Sequence, residues 1–171
     1  QSHLRPAIPD IFARAHSFGL STSLDTNWDP SGKWDGPLQD TFALTDLFLP
    51  NQQEARYISR TSTVEDALQV FQKMGVTITV VKQEENGALV AAKGERHRCV
   101  LPPITGGNGI GAGDSFDAGF LAGWLRGMPL DQCLQIACQC GREVAAHLGS
   151  IRNQPNWVNV TQRAGIKQPE Q

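Results

Sequence analysis

The feature that most restricts the fold of this chain is a short β-branched run, Val76-Thr77-Ile78-Thr79-Val80-Val81. Its residues favour an extended strand, and its apolar side chains fall on both faces of that strand. Such a strand is typical of a parallel sheet that is covered by helices on both sides. A helix is predicted just before it, because Ser62 and Glu65 form a capping-box signature and Gly75 ends the apolar periodicity. The sequence therefore predicts an α/β fold with a mostly parallel sheet.

Hydrophobic periodicity and turn residues place the other elements along the chain. Strands are predicted at residues 20–24, 47–49 and 88–92, the last as a hairpin partner after a turn at 84–87. Helices are predicted at residues 8–18, from Asn51, from the glycine-rich segment to Gly127, and over about 130–147. Residues from about 152 to 171 are polar and are expected to form a surface tail.

Charge and hydropathy exclude several classes of function. The 171 residues carry 15 basic and 17 acidic side chains, so no basic field is available for nucleic acid or an anionic membrane. No apolar run reaches the roughly 20 residues of a transmembrane helix. The chain starts at Gln1, without an initiator Met or the apolar core of a signal peptide. We expect a processed or truncated start, a cytoplasmic location, and no nucleic-acid or membrane partner.

Four cysteines, Cys99, Cys133, Cys138 and Cys140, are too few and too unevenly spaced for a disulfide scaffold. Three of them lie in one helix-like stretch, where residues two apart point to different faces. Zinc would need four converging ligands, and only His147 is near in sequence. The sequence favours small buried thiols in a reducing compartment.

The segment Gly106-Gly107-Asn108-Gly109-Ile110-Gly111-Ala112-Gly113-Asp114 leads into a helix and predicts an anion site. The amides of Gly111, Ala112 and Gly113 would be left unpaired by the helix itself and would face a ligand. Asp114 would repel a phosphate, unless it takes a proton from an incoming hydroxyl while the amides hold the developing charge. Asp114 could instead only cap the helix, and spacing alone leaves both roles open.

Four motifs in order resemble those of the ribokinase-like (PfkB) sugar kinases. Gly111-Ala112-Gly113-Asp114-Ser115-Phe116 followed by Ala118-Gly119-Phe120 is similar to the C-terminal signature of that family. The others are Asn51-Gln52-Gln53-Glu54, the nucleotide hairpin Val80-Val81-Lys82-Gln83-Glu84-Glu85-Asn86-Gly87-Ala88, and Asp25-Thr26-Asn27 with Trp34. The resemblance implies a ribokinase-like three-layer α/β/α fold. It covers only the C-terminal half of the kinase domain, without the N-terminal half and the lid.

The resemblance also implies an ATP-dependent carbohydrate kinase and a role for each matching residue. Asp114 would be the general base, and the amides of Gly111, Ala112 and Gly113 the anion hole. Asn51 and Glu54 would organise Mg²⁺ and its waters around ATP, although an acidic helix start also explains this pair. The remaining implied contacts are Lys82, Glu84, Asn86, Gly87 and Cys138 with the nucleotide, and Asp25, Asn27 and Asp29 with the sugar.

Several positions depart from the family pattern. Asn108 stands where many members carry an Asp and Ile110 where Thr or Ser is usual, which argues against a monovalent-cation site. Glu84 replaces a usual Gly and brings a charge near the expected phosphate path. Asp29 stands where acid-sugar kinases carry an Arg, which favours a neutral sugar or nucleoside as substrate.

Length points to a partial kinase domain, since the family's domain runs to about 300 residues, a size that single α/β domains reach. We expect this chain alone to bind sugar poorly and to have little or no kinase activity. An unpaired sheet edge would also allow a homodimer.

Two alternatives remain at this point. The chain could be a non-catalytic remnant of a kinase that binds nucleotide or a partner. Less favoured is a Rossmann dinucleotide domain, suggested by Gly107-x-Gly109-x-x-Ala112 with Asp131 as the acidic partner. That fingerprint should follow a strand directly, and Pro102-Pro103 intervenes.

Overall fold

The computed structural model describes residues 4–27, 34, 37–104, 106–107, 109–147 and 154–166. The chain divides into two compact units, one of Gln1–Lys82 with Ala91–Arg96 and one of Gln83–Val90 with His97–Gln171. The strands are β1 Ser23–Leu24, β2 Leu47–Phe48, β3 Ile78–Lys82, β4 Ala88–Ala92 and β5 Glu95–Cys99. The helices are α1 Ile8–Ser17, α2 Pro37–Phe42, α3 Gln52–Ser59, α4 Val64–Lys73, α5 Ala112–Trp124, α6 Leu130–Ala145 and α7 Trp157–Arg163. Among the described helices, none combines the length and the apolar character needed to cross a membrane.

The sheet has the strand order β1-β2-β3-β4-β5. Strands β1 and β2 pair in parallel with Ser23 opposite Leu47, and β2 pairs in parallel with β3 with Leu47 opposite Ile78. The predicted strand at 76–81 is thus confirmed as β3, two residues later, and its first four residues are buried. Parallel strands separated by helices confirm the α/β class.

Three phenylalanines form the core of the first unit. Phe42 at the end of α2, Phe48 in β2 and Phe71 in α4 are each 1% exposed or less. Their ring centroids lie 4.9 to 5.4 Å apart at tilted or edge-on angles. Burial of one such side chain contributes about 1.5–3 kcal/mol, and edge-on contacts add to it. This cluster fixes α2 and α4 on β2.

Helix α4 begins one residue later than its sequence signature suggested. Thr63, not Ser62, is the N-cap, and its hydroxyl accepts the backbone N–H of Asp66 at 3.1 Å. The same hydroxyl donates to the Asp66 carboxylate at 2.6 Å, so Asp66 takes the place that was predicted for Glu65. The prediction was wrong by one position because Ser62-Thr63 and Glu65-Asp66 offer two overlapping capping signatures.

Close contact between α5 and α6 organises the second unit. A Cβ atom on Gly119 would lie 2.8 Å from the Cys140 sulfur, and one on Gly123 would lie 3.0 Å from the Cys133 sulfur. The sulfur atoms of Cys140 and Cys133 in α6 therefore pack directly against the glycines of α5. A larger side chain at either glycine would displace these sulfur atoms. Burial raises the pKa of both thiols to about 11. All four cysteines are free and buried, so the predicted burial of the thiols is confirmed.

Helix α7 lies inside the segment that was expected to be a polar surface tail. Val160 is 2% exposed and packs against Ile136 and Cys140 of α6. The Arg126 guanidinium lies 4.1 Å from the ring centroid of Trp157. The expectation of a tail is therefore wrong for Trp157–Arg163, because a few apolar side chains anchor an otherwise polar helix.

The alternative caps of α4 give a matched pair of variants. Thr63→Ala should lower the free energy of unfolding by about 1 kcal/mol, because it leaves the Asp66 amide without its acceptor. Ser62→Ala should change it by less than about 0.5 kcal/mol, since this residue is exposed and does not cap the helix. Urea unfolding of both variants measures the difference, and a larger loss in Ser62→Ala would contradict the assigned cap.

Candidate active site

Polar side chains gather where the three parallel strands of the first unit end. Asp25 directly follows β1, Asn51 lies shortly after β2, and Lys82 is the last residue of β3. Asn51 and Lys82 form an isolated parallel bridge, and the Lys82 amide donates to the carbonyl of Pro50 at 3.0 Å. In open α/β sheets, ligands bind outside the carboxyl ends of the strands, which is where these residues lie.

Asn51 and Glu54 form a reciprocal capping box at the start of α3. The Glu54 amide donates to Asn51 Oδ1 at 2.9 Å, and the Asn51 amide donates to Glu54 Oε2 at 3.0 Å. The acidic helix start that the sequence allowed is therefore present. It uses one carboxylate oxygen of Glu54, so it holds this side chain in place and is compatible with a ligand at the other oxygen.

Glu54 is a buried carboxyl group, only 4% exposed. Burial raises the pKa of Glu54 because it disfavours the charged form, and the nearby Asp25 carboxylate raises this pKa further. The Asn51 amide and the Lys82 ammonium oppose these effects but do not cancel them. A cation beside Glu54 would stabilise its charged form.

Lys82 pairs with Asp25 across the strand ends. Its Nζ atom lies 3.1 Å from Asp25 Oδ2, with side-chain exposures of 15% and 31%. Of the three predicted sugar contacts, Asp25 thus faces a lysine that was predicted to meet the nucleotide. Asn27 is exposed, with a left-handed φ of 34°, and Asp29 lies outside the described residues.

The residues implied to hold Mg²⁺ fit that ion in chemistry. Mg²⁺ prefers oxygen donors and commonly takes one or two protein carboxylates, with waters and substrate phosphates completing its shell. Glu54 supplies one buried carboxylate with a raised pKa, and Asn51 orients it. Within the described ranges no three His, Cys, Asp or Glu side chains converge on a metal position, so an ion here would depend on waters and phosphates.

The second unit contains the glycine-rich start of α5. Gly111 is the N-cap residue, with a left-handed φ of 79° that favours glycine. The Ala112 amide already donates to the carbonyl of Gly109 at 3.1 Å. A ligand can therefore use this amide only after the turn at Gly109 opens, in contrast to the expectation that it faces a ligand unpaired. Gly113 lies in the first turn and is exposed.

Asp114 lies in the first turn of α5 with an exposed side chain. Among the residues that the structure describes, none donates a hydrogen bond to its carboxylate. The N-cap residue Gly111 offers no side-chain cap either. The helix dipole favours a carboxylate at this position. Among the described residues, however, Asp114 makes no capping hydrogen bond, so the role of a helix cap is not supported.

The predicted nucleotide hairpin forms a tight turn. Residues Glu84–Asn86 make one turn of 3₁₀ helix, and Gly87 follows with a φ of 78°. A Cβ atom on Gly87 would lie 1.9 Å from the carbonyl oxygen of Cys99, so only glycine fits there. Glu84 has a φ of 51° and therefore occupies a left-handed position of the kind that favours glycine. Both Glu84 and Asn86 are exposed.

Two further residues bear on this hairpin. Gln83 is 6% exposed, its amide donates to the Gly87 carbonyl at 2.8 Å, and its side chain accepts from Arg98 at 3.2 Å. This contact could not be predicted from the sequence, because Arg98 lies in β5, a polar strand without apolar alternation. Cys138, which was predicted to contact the nucleotide, is 8% exposed, and its sulfur faces the carbonyl of Cys99.

Comparison with known proteins supplies the family. The pfkB family carbohydrate kinase profile matches residues 11–157. The cytidine kinase of Thermococcus kodakarensis is 32% identical over 114 residues, which cover 66% of this chain and 41% of that protein. The fructoselysine 6-kinase of Escherichia coli is 31% identical over 143 residues, which cover 82% of this chain and 51% of that protein. This chain belongs to the PfkB family of carbohydrate kinases, and it spans about half the length of the curated relatives it matches.

Solved structures agree on the fold. A protein of Escherichia coli described as a ribokinase II, in complex with ATP and Mg²⁺, matches with a TM-score of 0.84 and 24% identity over 95% of this chain and 54% of that chain. Arabidopsis thaliana ribokinase with ribose and ATP matches with a TM-score of 0.79 and 21% identity, over 94% and 52%. The ribokinase-like fold is confirmed. The Rossmann alternative is wrong, since Asp131 lies in the first turn of α6 rather than at the end of a strand.

The buried carboxyl group of Glu54 predicts a pH-dependent stability. Because the pKa of Glu54 is raised in the native state, this carboxyl group loses its proton at a lower pH in the unfolded chain, near its ordinary pKa of 4.5, than in the folded protein. The free energy of unfolding therefore falls as the pH rises above about 4.5, until Glu54 ionises in the folded protein as well. Glu54→Gln should remove this fall and be relatively more stable near neutral pH. Urea unfolding between pH 4 and pH 7 measures it, with Glu65→Gln, an exposed carboxylate of α4, as the control. Equal pH slopes in wild type and Glu54→Gln would contradict the assignment.

The left-handed backbone of Glu84 predicts a stabilising substitution. Glu84→Gly should raise the free energy of unfolding by up to about 1 kcal/mol, because relief of the strained φ exceeds the entropy cost of glycine. Arg60, the C-cap of α3 with a φ of 57°, is the matched site, and Arg60→Gly should give a similar gain. Thermal unfolding tests both, and a loss of stability in Glu84→Gly would show that its side chain stabilises the turn.

Proposed function

We propose that this chain is the C-terminal half of an ATP-dependent kinase that phosphorylates a hydroxyl group of a neutral sugar or nucleoside. The observation that carries the proposal is Asp114, an exposed carboxylate at the glycine-rich start of α5 in a chain of the PfkB family. Its exposure suits a group that meets a substrate hydroxyl. The other features that kinase chemistry needs are a cation site and a nucleotide turn, for which Glu54 and the hairpin are the candidates.

In the proposed reaction, Asp114 accepts the proton of the substrate hydroxyl as that oxygen attacks the γ-phosphorus of ATP. The new phosphorus–oxygen bond forms while the bond to the β–γ bridging oxygen breaks and ADP leaves. The amides at the start of α5 would stabilise the negative charge on the transferring group. For the Ala112 amide this requires exchange of the Gly109 carbonyl for a phosphoryl oxygen.

Asn51 and Glu54 are the residues we propose to hold Mg²⁺ through its waters. When bound, the ion would neutralise charge on the ATP phosphates. Asn51 holds the Glu54 carboxylate in one orientation through the capping box. Lys82 would contribute a positive charge at the same edge of the strands, and Asp25 would position it.

The substrate class rests on charge. Asp29 would repel a substrate carboxylate, which favours a neutral sugar or a nucleoside over an acid sugar. The Thermococcus cytidine kinase is a relative whose name specifies a nucleoside. Weak sugar binding by the 171-residue chain alone and a homodimer remain predictions.

A non-catalytic nucleotide-binding module is the second candidate. Two observations favour it: the Ala112 amide is already paired, and Glu84 places a carboxylate on the predicted nucleotide turn. Both would weaken the hold on the phosphates. The two candidates differ in what Asp114 contributes, which can be measured directly.

Asp114→Asn in the full-length protein should lower kcat by about 10²- to 10⁴-fold and leave ATP affinity within a few-fold of wild type, because only proton transfer is removed. Coupled phosphorylation assays with neutral sugars and nucleosides, together with calorimetric titration of ATP, measure both quantities. Asp131→Asn, which removes a first-turn carboxylate from α6, is the control and should keep full activity. Unchanged turnover in Asp114→Asn would contradict the role of Asp114 as the base, whereas ATP binding without phosphorylation in wild type would support the non-catalytic module.

A further inference from the structure

A cavity of about 450 Å³ lies at the amino end of β3, and the residues that line it all belong to the first unit. One of them is Thr77, which directly precedes β3, whereas Lys82 of the candidate active site ends this strand. A strand rises about 3.3 Å per residue, so these two positions lie about 16 Å apart along it. The cavity is therefore separate from the polar cluster at the carboxyl ends of the strands.

Apolar side chains form part of the cavity wall. Leu68 lies in the middle of α4, Val76 lies just before β3, and Ala91 and Ala92 end β4. Leu68 and Val76 are only 3% and 5% exposed, so the protein core holds this part of the wall in place. Small-molecule sites typically enclose about 300–1,000 Å³ and combine an apolar lining with a few polar groups. The cavity therefore has the size and the apolar surface for a small organic molecule.

Hydrogen-bond donors form the rest of the wall. They are the side chains of Gln72 in α4, Thr77 and Thr79 along β3, and Arg96 in β5. The two threonines are two residues apart on an extended segment, so their side chains point to the same face of the sheet. No Asp or Glu is found among the described residues that line the cavity. The polar part of the wall is thus suited to a ligand with hydrogen-bond acceptors.

Two of these donors make no bond within the described part of the chain. Thr79 is 3% exposed, yet its hydroxyl forms no hydrogen bond with another described residue. A buried hydroxyl without a partner is unfavourable, because it has lost its hydrogen bonds to water. Arg96 is exposed, and none of the described residues forms an ion pair with its guanidinium. Both groups are therefore available to a ligand in the cavity.

The strand order places these two groups within reach of one ligand. Thr79 lies in β3 and Arg96 in β5, with β4 between them. Neighbouring strands are about 4.8 Å apart, so the two backbones are separated by about 10 Å across the sheet. A long arginine side chain and a carboxylate group together span this gap.

The charges around the cavity favour a ligand with one negative charge. The Arg96 guanidinium is planar, and a guanidinium pairs with a carboxylate through two parallel hydrogen bonds. Helix α4 ends at Lys73, directly after Gln72, so the C-terminal end of its dipole lies beside the cavity. This end carries a partial negative charge. It therefore repels a phosphate ester with two charges more strongly than a carboxylate with one.

We propose that this cavity binds a small organic carboxylate. The carboxylate group pairs with Arg96 and accepts a hydrogen bond from the Thr79 hydroxyl, while the apolar part of the ligand rests against Leu68 and Val76. The site takes no part in the proposed phosphoryl transfer, and its test does not depend on that function.

Titration of benzoate into the ¹⁵N-labelled protein, followed through the backbone amide resonances, tests the site. Benzamide has nearly the same shape without the charge, and phenyl phosphate carries a second charge. We expect saturable shifts at Thr77, Thr79 and Arg96 with benzoate, and binding of both controls at least several-fold more weakly. The absence of a saturable shift with benzoate, or equal binding of either control, would overturn the proposal. Shifts confined to residues around Lys82 would place benzoate at the candidate active site and would overturn it as well.

Substitution of the two available donors tests their contacts. Arg96→Gln should weaken benzoate binding by about five-fold or more, because the paired charge is lost. Lys93→Gln removes a cation from the turn just before β5 that is not among the lining residues, and it should keep the affinity within about two-fold. Unchanged affinity in Arg96→Gln, or an equal loss in Lys93→Gln, would refute a specific anion contact.

Thr79→Val gives a second readout, because it deletes the hydroxyl with little change of shape. It should weaken benzoate binding about three-fold or more. Urea unfolding without benzoate should show this variant to be at least as stable as wild type, since the hydroxyl it removes has no partner in the described chain. A clear loss of stability in Thr79→Val would show that the hydroxyl is bonded within the protein and would contradict the proposal.

Discussion

Parallel pairing of β1, β2 and β3 is the constraint on which the candidate cation site depends. Because the three strands run in one direction, the residues at or just beyond their carboxyl ends lie at one edge; these residues are Asp25, Asn51 and Lys82. The register also holds Phe48 in the aromatic core, and a slip of one residue would turn this side chain to the other face. The same hydrogen bonds that build the core of the first unit therefore place its polar cluster.

The positions of most elements follow from the sequence, because α1, α4 and α6 carry apolar residues at helical spacing and β3 is a continuous β-branched run. Where packing is carried by one or two side chains, the pattern fails. Strand β5 buries only Cys99 of its five residues, and α7 is anchored mainly by Val160, so neither was predicted. The cap of α4 was missed by one residue, since Ser62 and Thr63 have the same chemistry and only backbone geometry separates them.

Some features of the candidate site could also be predicted from the sequence, and others could not. The order of the motifs predicted Asn51, Glu54 and Asp114 as site residues. The sequence also showed the charge of Glu84 on the predicted nucleotide turn, but only the structure shows the left-handed φ of this residue. Contacts between distant residues were not visible. Lys82 with Asp25, Gln83 with Arg98 and Cys138 with Cys99 join positions 57, 15 and 39 residues apart. No local spacing rule reports such pairs, because they arise only when the strands and helices have assembled.

The division of the chain into two units has a consequence for dissection of the protein. The chain passes from one unit to the other after Lys82, after Val90 and again after Arg96. Neither unit is a continuous stretch, so a single truncation that keeps one unit whole also keeps a short segment of the other. Residues 83–171 contain the second unit together with Ala91–Arg96, and residues 1–96 contain the first unit together with Gln83–Val90. Isolation of one unit therefore requires replacement of an internal segment by a linker as well as a shortened gene.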